Sequence, residues 1–234
     1  MSFIPSASIL VSRIASLVAF RVCPVCGRPS GFREAPDALC AWCIARLYPN
    51  GHPAVAVPLP GERGRILAES PFLHAGSARD LVLGLKYRGR RGLGRIAAGL
   101  MAEAGRGAAV AGCILVPMPL CPSRIGERGY NQASEIAVPL ARLLGAGISD
   151  CLSRLDRPPQ AGLQAVERRE NVRGTFRRGR EPVPEGAPLI LVDDVVTTGS
   201  TLEEAARFLT GAGGDVAGAL TLTYRPEFRV DIID

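Results

Sequence analysis

The sequence predicts an α/β fold, a parallel sheet flanked by helices, with a small four-cysteine module in front of it. Three observations carry that expectation. Apolar runs of strand length alternate with segments of helical periodicity across the C-terminal two thirds of the chain, and strands separated by helices are joined by crossovers that leave them parallel and covered on both faces. The run Leu189–Val195 is aliphatic except for two adjacent acids, Asp193 and Asp194, and leads into the hydroxyl-rich turn "TTGST". Upstream of all this stand two C-x-x-C pairs, Cys23/Cys26 and Cys40/Cys43.

With 234 residues, 47% of them hydrophobic and 21% charged, the chain can bury one good-sized core and carry a small appendage. No run of 18 apolar residues occurs, which excludes a helical membrane span of ordinary length. The segment Ile9–Phe20 is apolar, but Arg13 interrupts it and neither a basic region before it nor an A-x-A site after it is present. It reads as an amphipathic helix in preference to a secretion signal, and the cytoplasm is the expected compartment. The net charge of +6 suits a phosphate-bearing partner without proving one. Of the 28 basic residues only Lys86 is a lysine.

The cysteine pairs are separated by thirteen residues, "CPVCGRPSGFREAPDALCAWC". Two such knuckles present four thiolates tetrahedrally to one Zn²⁺. The competing readings are a disulfide pair in a secreted domain and a thioredoxin-like redox motif; the reducing compartment and the lack of a βαβ setting weigh against both. Cys113, Cys121 and Cys151 are isolated and read as small core residues.

The remaining elements follow in order. "NGHPAVAVPLPGERGR", residues 50–65, is rich in Pro and Gly and reads as a linker, dividing an N-terminal helix and zinc-ribbon module (1–55) from the main domain (56–234). Helices are expected over Gly76–Lys86 and Leu93–Ala104, a strand over "GCILVPMPL", and a helix over Asn131–Leu144. The strand Leu189–Val195, a helix over Ser200–Leu209 closed by "GAGG", and the strand "VAGALTLTY" complete the set.

In an open parallel sheet, ligands gather beyond the carboxyl ends of the strands, and a loop entering a helix turns free N–H groups toward an anion. Thr197, Thr198, Ser200 and Thr201 offer hydroxyls there, and Gly199 permits the tight backbone. Carboxylates one step upstream would repel that anion, so Asp193 and Asp194 should face vicinal hydroxyls or a divalent metal. A sugar phosphate meets both demands. A receiver domain is not expected, since its acidic pair opens the domain and a lysine follows downstream, whereas the 40 residues given after Asp194 contain none, and no G-x-x-x-x-G-K-[ST] supports a Walker site. "GLGRIA" at Gly92 lacks the preceding strand of a dinucleotide fingerprint.

The stretch Leu189–Thr201 resembles the phosphoribosyl pyrophosphate (PRPP) signature of type I phosphoribosyltransferases. Nearly the full chain resembles the ComF family: the four-cysteine module, then "LVLGLKYRGRRGLGR", "VPMPLCPSRIGERGYNQASEIA" and "LSRLDRPPQAGLQAVERRENVRGTF", then the PRPP loop. Met118 departs from the valine usual in the family. The resemblance implies a type I phosphoribosyltransferase fold with Asp193 and Asp194, the expected catalytic acids, holding the ribose hydroxyls. It places the 5′-phosphate on Thr197, Thr198, Gly199, Ser200 and Thr201, and pyrophosphate on a loop of Met118, Pro119 and onward to Arg124, with Arg128 and Asn131 completing the anion site or, for Arg128, bracing it. Mg²⁺ would accompany PRPP. The block Arg154–Phe176 falls where such folds carry a mobile hood, although a solvated helix accounts for it equally. The implied reaction is displacement at the anomeric carbon with pyrophosphate leaving, and the acceptor is open.

A second reading also stands. The family is associated with natural transformation, and its fold implies either catalysis on PRPP or a non-catalytic scaffold for single-stranded DNA working with DNA-uptake machinery. "KYRGRRGLGR" carries five cations in ten residues with Tyr87 among them, and "RRENVRGTFRRGR" adds six arginines. That basic and aromatic mixture suits single strands, with Lys86, Arg88, Arg90 and Arg91 as the expected contacts, although a solvated charged face is the plainer account.

Overall fold

The computed structural model describes residues 22–29, 39–51, 54–59, 64–108, 112–156 and 174–226. The expected helix over Ile9–Phe20 lies outside them. A seven-stranded sheet forms the centre, in the order β1 (Ala54–Pro58), β2 (Arg65–Glu69), β9 (Asp215–Tyr224), β8 (Pro188–Val196), β4 (Ile114–Pro117), β5 (Gly147–Ile148), with the short β3 (Phe72–Leu73) also paired to β9. All pairings are parallel except β1 with β2, so the sheet is mixed and mostly parallel. The segment read as a linker is the source of the difference: residues 54–58 alternate Ala-Val-Ala-Val and pair with β2 as a hairpin closed by Leu59 N–H donating to the Gly64 carbonyl. Strands joined by so short a connection can only be antiparallel. The flanking prolines and glycines masked a strand of period two, and the expected boundary after residue 55 falls inside it.

Helices cover both faces. The alternation of β8 divides the core, with Ile190 and Val192 on one face and Leu189 and Leu191 on the other, all fully buried. Against the first face pack α2 (Gly76–Tyr87), α3 (Leu93–Ala108) and α5 (Gln132–Leu144), through Leu81, Leu85, Met101, Ile136 and Leu140. Against the second packs α6 (Ser200–Gly211), through Leu202 and Leu209. The crossing of α3 and α5 is close: a Cβ on Gly94 would lie 2.3 Å from the Glu135 carbonyl oxygen, so any side chain there would force the helices apart.

The cysteine module does not stand apart from this core. Val25, Leu39 and Cys43 share the buried cluster of Leu81 and Leu85, and the short α1 (Ala41–Ala45) leads to Arg46, whose carbonyl receives the Ser77 N–H at the start of α2. The module is therefore a buttress for α2. Among the described residues, no helix is long and apolar enough to cross a membrane.

Candidate functional site

Strands β4 and β8 run side by side in register, Pro117 opposite Val192, and end at the same sheet edge. Beyond that edge lies a cleft of about 410 Å³. Asp193, Asp194 and Thr201 line one part of it, Met118 and Pro119 the floor after β4, and Arg124, Arg128 and Arg154 another part. Carboxylates, guanidinium groups and a helix N-terminus thus share one hollow, because parallel strands deliver all their following loops to the same end.

The two acids are unequal. Strand alternation turns them to opposite sides, leaving Asp193 half-buried and the Asp194 side chain only 3% exposed. The Lys86 ammonium, 21% exposed, lies 2.9 Å from Asp194 Oδ2, a close ion pair that is not aligned as a hydrogen bond. Asp193 Oδ1 accepts from the Asp194 N–H at 2.8 Å. Burial, together with the neighbouring Asp194 carboxylate, pushes the Asp193 carboxyl up to about 7, against the pull of Lys86. Such an acid is poised to shed its proton when a cation or a hydroxyl donor arrives.

The turn that follows has the shape expected of an anion site. Gly199 sits at φ +79°, and a Cβ there would meet Val57 Cγ2 at 2.9 Å, so both backbone and space require glycine. Its left-handed turn starts α6 without a side-chain cap from Gly199, and a helix N-terminus is where backbone N–H groups favour an anion. Thr198 Oγ1 donates to Ser200 Oγ at 3.1 Å and accepts from Ser200 N–H at 3.3 Å, gathering the hydroxyls around one point.

The expected pyrophosphate loop is shorter than the sequence suggested, because α4 (Pro122–Arg128) begins with proline at its first position. Arg124 and Arg128 therefore project from a helix. Arg124 pairs with Glu127 at 3.0 Å; Arg128 donates to Gln132 Oε1 at 2.9 Å and lies 5.4 Å from the centre of the Tyr87 ring. Asn131 does not line the cleft. Its amide donates to the Met118 carbonyl at 3.0 Å and its oxygen caps α5 by accepting the Ala133 N–H. It holds the loop in place, leaving ligand contact to others. Most of the expected hood, residues 157–173, lies outside the described residues. Its two ends return together, since β6 (Leu152–Arg154) pairs antiparallel with β7 (Phe176–Arg178), and Gly174 N–H donates to Glu204 on α6 at 2.6 Å.

The basic stretch does not form one face. Lys86 turns into the cleft toward Asp194, whereas Arg90 donates to the carbonyls of Pro24 and Val25 in the cysteine module at 3.2 and 3.3 Å. Arg91 grips Glu135 at 2.8 Å and covers Tyr130, and Arg88 is exposed. Lys86 and Tyr87 are the site residues that sequence reasoning assigned elsewhere. The signal available was that Lys86 is the sole lysine among 28 basic residues: its ammonium is a compact point charge on a flexible stem, able to reach a carboxylate on a neighbouring strand.

The sulfurs of Cys23, Cys26, Cys40 and Cys43 all lie within 4.8 Å of one another, with Cys23–Cys43 at 3.7 Å and Cys26–Cys40 at 3.6 Å, and no disulfide joins them. Ligands at about 2.3 Å around a tetrahedral zinc stand about 3.8 Å apart. The cluster could hold one metal ion.

The chain is similar to several known proteins. The phosphoribosyl transferase domain profile matches residues 131–233, covering Asp193, Asp194 and the turn after them. The DNA utilization protein YhgH of Salmonella typhi is 32% identical over 200 residues, 82% of this chain and 79% of that protein. Competence protein F of Haemophilus influenzae is 36% identical over 105 residues, 42% of this chain and 44% of its own length. Among solved structures, an adenine phosphoribosyltransferase from Thermoanaerobacter pseudethanolicus covers 74% of the chain and 84% of its own at 17% identity, with a TM-score of 0.38.

Proposed function

The chain belongs to the ComF family, with a type I phosphoribosyltransferase fold, and from that premise we propose that the cleft binds PRPP or a related ribose phosphate in a protein that serves DNA uptake and natural transformation. The observation that carries the reading is the meeting of Asp193 and Asp194, Thr201 in the first turn of α6 and three arginines in one cleft. Each feature suits a different part of one ligand. The 5′-phosphate suits the turn Thr197–Thr201, where N–H groups and hydroxyls converge. The ribose hydroxyls suit Asp193, the more open acid, while Asp194 is held behind it by Lys86. Pyrophosphate suits Arg124 and Arg128 beside Met118 and Pro119.

As a catalyst, this arrangement would serve displacement at the ribose anomeric carbon: the bond to pyrophosphate breaks as the bond to an acceptor forms. The protein's part is to position the sugar and neutralise charge, with Asp193 and Asp194 as the acids nearest the reacting ribose. Bound Mg²⁺ would supply further charge neutralisation on the pyrophosphate, and Asp193 is the carboxylate placed to share it. In the same proposal the four-cysteine cluster holds a structural zinc, fitting the sulfur spacing. The alternative, a single-stranded DNA scaffold without catalysis, needs its cations on a common face, and Lys86, Arg90 and Arg91 are each engaged within the protein.

Calorimetric titration tests the reading. PRPP should bind in the micromolar to millimolar range usual for substrates and more tightly with magnesium. Asp193→Asn should weaken PRPP about tenfold or more, as expected for a lost charge-assisted contact, without affecting inorganic phosphate. Thr198→Val should weaken both. Unchanged PRPP affinity in both variants, each folded like the wild type, would remove the ligand from this cleft.

A further inference from the structure

A second hollow, of about 530 Å³, opens beside the first and shares Lys86, Tyr87 and Val195 with it. None of its residues was singled out by the sequence for a small ligand except Thr197, at the start of the α6 turn. Its charge is one-sided. Arg79 and Lys86 recur at i and i+7 on one face of α2, and Arg225 enters from the end of β9, its backbone pinned by Arg225 N–H donating to the Val196 carbonyl at 2.9 Å. Among the described residues lining it there is no carboxylate; Asp194 lines the first cleft, where Lys86 meets it.

The remaining walls suit a flat ring. Tyr87 is 69% exposed, and Leu83 and Val82 supply apolar surface. His74 supplies a directional polar group. Thr223 Oγ1 donates to the Asp194 carbonyl at 3.2 Å, so its contact with His74 Nδ1 at 2.9 Å is an N–H donated by the imidazole. The tautomer this fixes leaves His74 Nε2 a lone pair that can accept from a ring N–H. Burial, then the charges of Lys86 and Arg225, hold His74 down to about 4, so it stays neutral and adds no charge of its own.

We propose that this second cleft is the acceptor subsite and that it selects a planar ring bearing an anionic group, with Arg79 and Arg225 as specificity-determining residues. The assignment as acceptor rests on PRPP occupying the first cleft; the preference for an anionic ring rests on the second cleft alone. A neutral nucleobase would leave the guanidinium groups with no partner from the ligand. An anionic ring would meet both and still offer an edge to His74 and a face to Tyr87.

The test uses matched pairs that differ only in the charged group and carry no phosphate to draw them to the α6 turn: nicotinate against nicotinamide, and orotate against uracil. They are titrated into the metal-loaded full chain at low salt without PRPP. The charged member of at least one pair should bind about tenfold tighter or more, the worth of a charge-assisted hydrogen bond. Arg79→Gln with Arg225→Gln, both exposed, should erase the preference and leave PRPP affinity within about twofold. Equal binding of charged and neutral members, or a preference that survives the double substitution, would overturn the proposal. A chain that fails to bind PRPP yet keeps the arginine-dependent preference would separate the two readings, sinking the first while the second cleft stands as an anion site.

Discussion

Replacing Lys86 by methionine should destabilise the protein by about 3 kcal/mol, more than replacing its partner. Lys86 Nζ and Asp194 Oδ2 are 2.9 Å apart. At that separation the Coulomb attraction is about 6 kcal/mol for an effective dielectric of about 20 and about 1.4 kcal/mol in bulk water. The net worth is smaller than the first figure because both groups give up hydration, but removing one partner of a buried pair strands the other, typically at about 3–5 kcal/mol. The two partners differ in what stranding means. Asp194 is only 3% exposed, whereas Lys86, 21% exposed, can extend its stem toward the cleft mouth. Asp194→Asn should therefore cost only about 1 kcal/mol, and the double variant less than the two single losses together. Urea unfolding of the metal-loaded wild type, both single variants and the double variant supplies the four corners of the cycle. A loss below about 0.5 kcal/mol for Lys86→Met, or strict additivity across the cycle, would refute the inference that these residues form one buried unit.

Three further outcomes are expected. Purified protein should carry about one zinc per chain by elemental analysis, and Cys40→Ser should lose it; a structural zinc contributes about 10–16 kcal/mol to such modules, and because Cys43 packs in the cluster of Leu81, hydrogen exchange should rise in α2 as well as in the module. Asp193 is raised to about 7 in the folded state against about 3.9 unfolded, so the folded protein binds more protons between those values and wild-type stability should fall as pH rises from about 4 to about 7; Asp193→Asn should flatten that slope in pH-dependent urea melts, and PRPP with magnesium should release a proton on binding near pH 6.5, measured by titration in buffers of different ionisation enthalpy. Arg90→Glu should lower metal retention under a chelator, since Arg90 holds the carbonyls of Pro24 and Val25, while Arg88→Glu should not, and equal retention in both would contradict the strut role of Arg90.

The amino-acid sequence determined what depends on neighbours along the chain. The period of Leu189–Val195 makes a strand buried on both faces, Gly199 makes the turn, the hydroxyls cluster because they are consecutive, and the C-x-x-C spacing closes each knuckle locally. These features were legible because each is specified within a few residues. The pairing of residues 54–58 with 65–69 was not, since flanking prolines and glycines mask the short alternation and its place in the sheet depends on β9 receiving β2. Nor was the inequality of Asp193 and Asp194, which look alike in sequence and differ because the pleat points them to opposite sides of β8, burying Asp194 beside Lys86. The basic run from Lys86 to Arg91 read as a single charged face because proximity in sequence was the only proximity available. Folding distributes it over the helix end and the loop after it, sending Lys86 to an acid 108 positions away and Arg90 to carbonyls 66 and 65 positions before it. Such contacts arise from the docking of α2 between the cysteine module and the sheet. That docking is fixed by burial of Leu81, Leu85 and Cys43 in one cluster, and non-directional burial writes no pattern of partners into the local sequence.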